Sequence, residues 1–259
     1  MAQQQGTSRL PAPASPKSRY DDVPVSSLQL RIENCDWPTI DAELDDYGAG
    51  RLGRLLTPAE CQTLVDLYDR DDTFRTTVNM ARHGFGRGEY KYFAHPLPAL
   101  ITTLRTQVYS HAARTANRWA ELLGSDITYP ARHADMLARC HAAGQTRPTP
   151  LLLRYDAGDY NCLHQDVYGA HVFPLQLVIL LSDPAGFRGG EFVITEQRPR
   201  MQSRVEVVPL RQGEAALFAV NERPRRGTKG YHRVKLRHGV SRLHTGRRHT
   251  AGIIFHDAN

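Results

Sequence analysis

The chain has 259 residues, of which 41% are hydrophobic and 23% are charged. This length and composition predict a soluble globular protein of one large domain or two small ones, and they exclude a largely disordered chain. Purely apolar runs such as residues 177–181 are far shorter than the roughly 18–20 residues of a membrane span, so the sequence does not predict a membrane protein.

Positive charge is concentrated in one part of the chain. The formal net charge is +6, but residues 198–248 contain 14 Lys and Arg against 3 Asp and Glu, and the remainder has an excess of acidic residues. A basic segment in an otherwise acidic chain predicts a polyanionic or acidic partner for one surface. A solvated basic face is the alternative interpretation.

The N-terminus and the cysteines indicate the cellular compartment. Residues 1–16 lack the apolar stretch of a secretory signal, so we expect a cytoplasmic protein. Cys35, Cys61, Cys140 and Cys162 show no paired spacing, which predicts free thiols rather than a disulfide framework or a zinc site.

The first half of the chain predicts a tail followed by helices. Residues 1–25 are rich in Gln, Ser, Pro and Ala, a composition typical of a disordered tail. We assign residues 26–149 to helical support of the core and to substrate recognition. Within them, Thr57 and Glu60 form the pattern of a capping box around a first-turn proline, which predicts a helix over 57–70.

A second, longer helix is predicted over 97–123. Its apolar residues, among them Leu100, Leu104 and Trp119, recur at helical spacing. Gly124 follows them and is expected to end the helix, because glycine is favoured just past a helical C-terminus.

From residue 150 the pattern changes to short β-rich runs separated by turn residues. Eight such runs without an intervening helix favour a β-sandwich or jelly roll over a βαβ sheet. The predicted fold class is therefore mainly β with α, in which residues 150–259 form the core, N-terminal helices support it, and residues 26–259 make one compact domain. The predicted strands are 151–155, 161–165, 175–181, 191–195, 205–209, 215–220, 234–240 and 250–255.

The strongest chemical signal is the sequence His164-Gln165-Asp166 on the second predicted strand. Residues i and i+2 of a strand face the same side, so one imidazole and one carboxylate converge there. His238 follows 72 residues after Asp166 and would bring a second imidazole from a later strand. Two histidines and one carboxylate occupy one face of an Fe(II) ion and leave open positions for substrates, whereas structural zinc prefers a closed tetrahedral set and magnesium prefers oxygen ligands.

Arg248 and Thr250 begin the last predicted strand and share one face. A guanidinium there can hold a carboxylate by two parallel hydrogen bonds, and the threonine hydroxyl can add a donor. This pair would anchor the far end of a dicarboxylate co-substrate. A surface arginine at a barrel edge is the alternative.

Other side chains compete for these roles. Arg248 follows His238 by ten residues, and Arg242 follows His232 by the same offset. Residues 243–248 after Arg242, however, predict a turn rather than a buried strand. His244 has Ile254 at the same offset, which cannot bind an acid. We interpret His171, His249 and His256 as structural or surface groups, and Cys162 as a buried small thiol.

Three stretches resemble the 2-oxoglutarate and iron(II) dependent dioxygenases, which have a double-stranded β-helix. They are residues 153–166, residues 189–192, and His238 with Gly246 and Arg248, within a match over about 151–258. The resemblance implies that His164, Asp166 and His238 bind iron, that Arg248 binds the 5-carboxylate of 2-oxoglutarate, and that Tyr155 lines the co-substrate pocket. It also implies Fe(II), 2-oxoglutarate and O₂ as cofactor and co-substrates. Residues 173–176 and 195–203 are similar to a bacterial branch predicted to act on damaged nucleic acid, akin to alkylation-repair dioxygenases.

Two basic stretches are candidates for substrate contacts. In residues 82–93, Tyr90 and Tyr92 would share a strand face and could stack a base, while Arg87 and Lys91 could meet phosphate. Residues 221–233 form a predicted loop before the strand of His238, whose basic side chains would ring the entrance of the site. Those side chains include Arg223, Arg225, Arg226 and Lys229. The alternatives are an ordinary core strand and a solubilising loop.

The function predicted from these features is a dioxygenase that oxidises alkylated nucleic-acid bases, by hydroxylation or demethylation. A base in a duplex would have to be flipped into the pocket, so the expected partner is single-stranded nucleic acid or a flipped base. No protein partner is evident. The alternatives are a hydroxylase of a peptide side chain, a free amino acid or another small molecule with the same iron chemistry, and a non-catalytic binding module on the same barrel.

Overall fold

The computed structural model describes residues 25–197 and 201–259. The tail predicted at residues 1–25 lies outside this range except for Val25, which begins the first helix. The helices are α1 (Val25–Glu33), α2 (Trp37–Tyr47), α3 (Pro58–Asp66), α4 (Ala99–Leu122) and α5 (His133–Ala142). The strands of the N-terminal half are β1 (Ala49–Arg54), β2 (Phe74–Asn79), β3 (Gly86–Arg87) and β4 (Glu89–Phe93). Those that follow are β5 (Leu151–Asp156), β6 (Tyr160–His164), β7 (Leu175–Leu180), β8 (Phe187–Gly189), β9 (Phe192–Gln197), β10 (Arg204–Val208), β11 (Glu214–Ala219), β12 (Glu222–Gly227), β13 (Gly230–Val240) and β14 (Leu243–Ile254).

Two antiparallel sheets form the core. The larger has the order β1-β11-β7-β14-β5-β4-β2, with β8 paired to β14, and the smaller has the order β10-β9-β13-β6-β3, with β12 paired to β13. This arrangement confirms the predicted fold class, a jelly roll of the double-stranded β-helix type with helices beside it. No α-helix interrupts the described residues between β5 and β14.

Local sequence explains the best-predicted elements. Every residue of β7 is buried, as its apolar run requires for a strand covered on both faces. The capping box is present at α3, where Thr57 and Glu60 bond each other's backbone N–H groups. That helix ends at Asp66, four residues before the predicted end. Helix α4 buries the predicted apolar stripe and ends one residue before the prediction.

The N-terminal half is less helical than expected. Strand β1 pairs with β11 and β4 pairs with β5, so residues from this half extend the larger sheet on both sides. The sequence prediction placed a strand within residues 82–93, in agreement with β4, but it missed β1, α1, α2 and α5. No helix among the described residues combines the length and apolar character that a membrane span needs.

Two predicted irregular segments are strands. Residues 222–227 and 230–235 form the hairpin of β12 and β13 instead of an open loop. Residues 243–248 are the first half of β14 and not a turn. Gly246 has a φ of 79°, and a Cβ there would lie 2.0 Å from the carbonyl oxygen of Gly186, so only glycine fits this close crossing.

Candidate active site

Two adjacent strands of the smaller sheet bring three possible metal ligands together. His164 ends β6 and pairs in register with His238 of β13, while Asp166 follows two residues after His164. The Nε2 atom of His164 is 3.4 Å from Asp166 Oδ1, and that of His238 is 3.3 Å from Asp166 Oδ2. The three ligand atoms lie within 4.8 Å of one another. Among the described residues this is the one such cluster of His, Cys, Asp and Glu.

The two imidazoles are oriented for this role. His164 Nδ1 is 2.8 Å from the carbonyl oxygen of Cys162, which favours the tautomer that keeps Nε2 free for a metal. Burial lowers the pKa of His238, which favours the neutral imidazole that metal ligation requires. The donor set of two neutral imidazoles and a carboxylate fits Fe(II).

The carboxylate has a partner that sequence reasoning missed. The Tyr168 hydroxyl donates a hydrogen bond to Oδ1 of Asp166. Burial on its own would raise the pKa of Asp166, but its interactions with His238, followed by those with His164 and the hydrogen bond from Tyr168, outweigh it and hold that pKa well below its ordinary range. Asp166 is therefore ionised and fixed in place. The spacing of Tyr168, two residues after Asp166, was the available signal.

A cavity of about 400 Å³ adjoins the three side chains and lies between the two sheets. Its walls are formed by inward-facing residues of β4, β5, β7 and β14 on one side and of β6 and β13 on the other. Arg248, Thr250 and Tyr155, the predicted co-substrate residues, all line it.

Arg248 is an unpaired cation inside this cavity. It is 3% exposed, and its Nε and Nη1 atoms have no hydrogen-bond partner. Its guanidinium carbon lies 5.8 Å from the centre of the buried Tyr155 ring, and Thr250 follows on the same face. Burial lowers the pKa of Arg248 to about 10, which still leaves it charged at neutral pH. A buried guanidinium without a partner is costly, so this end of the cavity is suited to a carboxylate.

A second buried polar group lines the cavity. Gln176 lies on the otherwise apolar strand β7, and its Nε2 atom has no hydrogen-bond partner. Sequence reasoning assigned it no role, although a single amide within the apolar run of residues 175–181 was a usable signal.

The aromatic stretch is placed partly as predicted. Tyr90 and Tyr92 both line the cavity, with ring centres 5.4 Å apart and nearly perpendicular planes. Arg87 is exposed, and its Nε lies 3.8 Å from Asp159 Oδ1. The expectation for Lys91 is wrong: it faces away from the cavity, is buried, and binds Asp71 Oδ1 at 2.8 Å. Alternation along β4 puts Lys91 on the opposite face from the two tyrosines.

The basic hairpin does not surround the entrance. Arg223 is 1% exposed and donates hydrogen bonds to Glu196 and to the backbone at the end of α2, and Arg225 also pairs with Glu196. Arg226 and Lys229 are exposed near the hairpin turn. Gly230, beside that turn, is eight residues from His238 along β13, or about 26 Å of extended strand. The hairpin thus leads away from the cavity.

The competing residues lie elsewhere. His232 pairs with Arg225 on the hairpin, and His244 is exposed on β14. His249 and His256 are buried outside the cavity lining, in agreement with structural roles. All four cysteines are free, as predicted, but Cys162 is exposed at the cavity rather than buried.

Solved structures show which fold the chain has. An oxidoreductase of the 2OG-Fe(II) oxygenase family from Burkholderia pseudomallei matches with a TM-score of 0.52 at 15% identity, over 87% of this chain and 95% of that one. A prolyl hydroxylase from Trichoplax adhaerens, in complex with a peptide fragment of the hypoxia inducible factor oxygen degradation domain, matches with a TM-score of 0.54 at 15% identity, over 89% and 92%. At these identities the likeness shows that the fold is that of the 2-oxoglutarate oxygenases.

The family follows from sequence. The model of the Oxygenase-NA family, described as an oxygenase catalysing oxidative methylation of damaged DNA, matches residues 88–258, and the chain belongs to this family. An uncharacterised protein of Mycobacterium tuberculosis, found in strains CDC 1551 / Oshkosh and ATCC 25618 / H37Rv, is 46% identical over 167 residues, which are 64% of this chain and 72% of the relative. The protein is a 2-oxoglutarate-dependent oxygenase that uses Fe(II), 2-oxoglutarate and O₂.

Proposed function

We propose that the protein oxidises alkylated bases of nucleic acid, with Fe(II) held by His164, Asp166 and His238. Arg248 binds the distal carboxylate of 2-oxoglutarate, assisted by Thr250, and Tyr155 forms the wall beside it. The clustered ligand atoms and the unpaired buried guanidinium support these roles.

The protein residues position the reactants and exclude water. When bound, iron and 2-oxoglutarate supply an oxidation in which O₂ is reduced, 2-oxoglutarate becomes succinate and CO₂, and a substrate C–H bond becomes C–OH. On an N-methyl group the product is an N-hydroxymethyl group, which releases formaldehyde and leaves the repaired base. The walls of the cavity, including Tyr90 and Tyr92, hold the methyl group away from bulk water.

The proposal of a nucleic-acid substrate depends on the composition of the segment at the cavity mouth, residues 80–88. Gly84 and Phe85 line the cavity, and Phe85 stacks on His83 yet stays 48% exposed. A half-exposed aromatic ring at the entrance of an aromatic cavity is suited to stacking on a base. Exposed Arg82 and Arg87 flank it and can contact phosphates on either side of that base.

The test is product formation from single-stranded oligonucleotides that carry N-methylated bases, with Fe(II), 2-oxoglutarate and O₂. We expect succinate and formaldehyde in equal amounts, and neither product in Asp166→Ala, which should also lose metal binding. Unmethylated oligonucleotides, peptides and free amino acids serve as the comparison set. If succinate and a hydroxylated product form with a peptide or an amino acid but not with a methylated oligonucleotide, the protein is instead a hydroxylase of peptides or small molecules.

The mouth segment can be tested by salt dependence. Arg82→Gln and Arg87→Gln should each weaken oligonucleotide binding and reduce the slope of log affinity against log salt by about 1. Arg226→Gln, at another exposed arginine, on the hairpin, is the matched control and should leave the affinity and the slope unchanged. Equal effects of all three substitutions would contradict a specific role for the mouth.

A further inference from the structure

We infer that the Gln176 amide hydrogen-bonds the carboxylate at the 2-oxo end of 2-oxoglutarate, and so positions the co-substrate. This inference rests on the metal and co-substrate site proposed above and adds a residue to it. It requires nothing about the identity of the oxidised substrate.

Gln176 is unusual within its strand. It is 4% exposed, and its Nε2 atom has no hydrogen-bond partner. The other residues of β7 are apolar. Leaving a buried amide donor without a partner costs about 1–3 kcal/mol. Because a leucine would fill the same space without that cost, the amide at this position points to a ligand that accepts its hydrogen bond.

The neighbours of Gln176 place it at the level of the metal ligands. It pairs in register with Phe218 of β11, and the Phe218 ring lies 4.7 Å from the His238 ring. Both Gln176 and Phe218 line the cavity, on the sheet that faces His238. His164, Asp166 and His238 would hold the metal, and a further group bound to that metal would therefore face Gln176.

Arg248 lies farther along the same wall. On β14 the residue opposite Gln176 is Ile254, six residues after Arg248. The cavity thus has unpaired donors at two levels, the guanidinium near Tyr155 and the amide near His238. A molecule with a carboxylate at each end satisfies both, and only its 2-oxo end can chelate a metal.

The experiment compares two co-substrates that differ at the distal end. Anaerobic titrations of the Fe(II) protein with 2-oxoglutarate and with 2-oxobutyrate, which lacks the distal carboxylate, are followed by the absorption band of the iron–2-oxo acid chelate. No oxidisable substrate is present. Fe(II) affinity is measured separately, and the fold of each variant is checked by circular dichroism and thermal melting.

Gln176→Leu should weaken the binding of both 2-oxo acids by about tenfold or more, while Fe(II) affinity stays unchanged. Arg248→Leu is the comparison. It should weaken the binding of 2-oxoglutarate but leave the binding of 2-oxobutyrate nearly unchanged. Gln176→Glu, nearly isosteric, replaces the donor by a carboxylate and should weaken both acids further than Gln176→Leu. It also keeps the test available if the leucine variant does not fold.

Wild-type affinity of Gln176→Leu for both acids would overturn the inference, and so would a loss confined to 2-oxoglutarate. These failures are distinct from failure of the proposed function. A wrong metal site would leave the wild type without the chelate band, and a wrong substrate would leave the titrations unchanged.

Discussion

The hydroxyl of Tyr168 donates a hydrogen bond to Oδ1 of Asp166, the carboxylate between the two imidazoles of the site. Tyr92, an inward-facing residue of the larger sheet, lies beside Tyr168 and lines the same cavity as the carboxylate on the smaller sheet. Burial and the Asp166 charge raise the pKa of Tyr168 and keep it a donor at any ordinary pH.

Tyr168→Phe should weaken Fe(II) binding by about 10–100-fold, because loss of a hydrogen bond to a ligand frees its orientation. The measurement is metal titration of the apoprotein, followed by succinate formation at saturating iron. Tyr231→Phe, which removes an exposed hydroxyl on the hairpin, is the control and should behave as the wild type. Wild-type metal affinity in Tyr168→Phe would show that the bond does not position Asp166.

Gly190→Ala should weaken 2-oxoglutarate binding by about tenfold or more. Gly190 has a φ of 70°, and a Cβ there would lie 2.9 Å from Cδ of Arg248 and 3.0 Å from Leu243. The substitution therefore strains the backbone and displaces the guanidinium. Calorimetric titration of the metal-loaded protein with 2-oxoglutarate measures this affinity. Gly186→Ala, where a Cβ meets nothing within 4 Å, should leave the affinity unchanged, and equal losses in both variants would refute the mechanism.

Arg223→Leu should lower the free energy of unfolding by about 1.5–3 kcal/mol without reducing oligonucleotide affinity. Its guanidinium is buried against Glu196 and the end of α2, so the substitution removes charged hydrogen bonds from the interior. Urea unfolding measures the first effect and a binding isotherm the second. Lys229→Leu, at the exposed turn, should change stability by less than about 0.5 kcal/mol. A loss of oligonucleotide affinity in the folded Arg223→Leu protein would restore this arginine to the binding surface.

The metal-free protein should lose stability as the pH falls from 6.5 towards 4. Burial lowers the pKa of His256 to about 4, and its Nδ1 accepts a hydrogen bond from the Phe173 N–H, which only the unprotonated nitrogen can do. In this range the unfolded chain binds the proton and the folded chain does not, so acid favours unfolding. Buried His133 and His249, with pKa values also lowered to about 4, act in the same direction.

His256→Asn isolates one contribution. Asparagine retains an acceptor for the Phe173 N–H but does not titrate, so the slope of unfolding free energy against pH should fall by at most about 1.4 kcal/mol per pH unit. Urea unfolding at several pH values in the presence of a chelator gives this slope. An unchanged slope would mean that His256 is already protonated in the fold.

Some features could be predicted because their physical cause is local. The capping box at Thr57 and Glu60 depends on residues three apart, and the convergence of His164 and Asp166 depends on strand alternation. Alternation also places Tyr90 and Tyr92 on one face. The same alternation places Lys91 on the opposite face, so the expectation that Lys91 contacts the same substrate as the two tyrosines was wrong.

By itself the sequence determined the jelly-roll class, the order of the two histidines and the aspartate along the chain, and the arginine that follows them. Tertiary structure alone decided that Tyr168 supports Asp166, that Gln176 faces His238, and that Arg223 is buried against Glu196. The relationships of Gln176 to His238 and of Arg223 to Glu196 join strands far apart in sequence, whereas Tyr168 is near Asp166 in sequence and is oriented towards it by packing. The free energy of burying a polar group depends on partners that only packing brings close, so no local pattern encodes it.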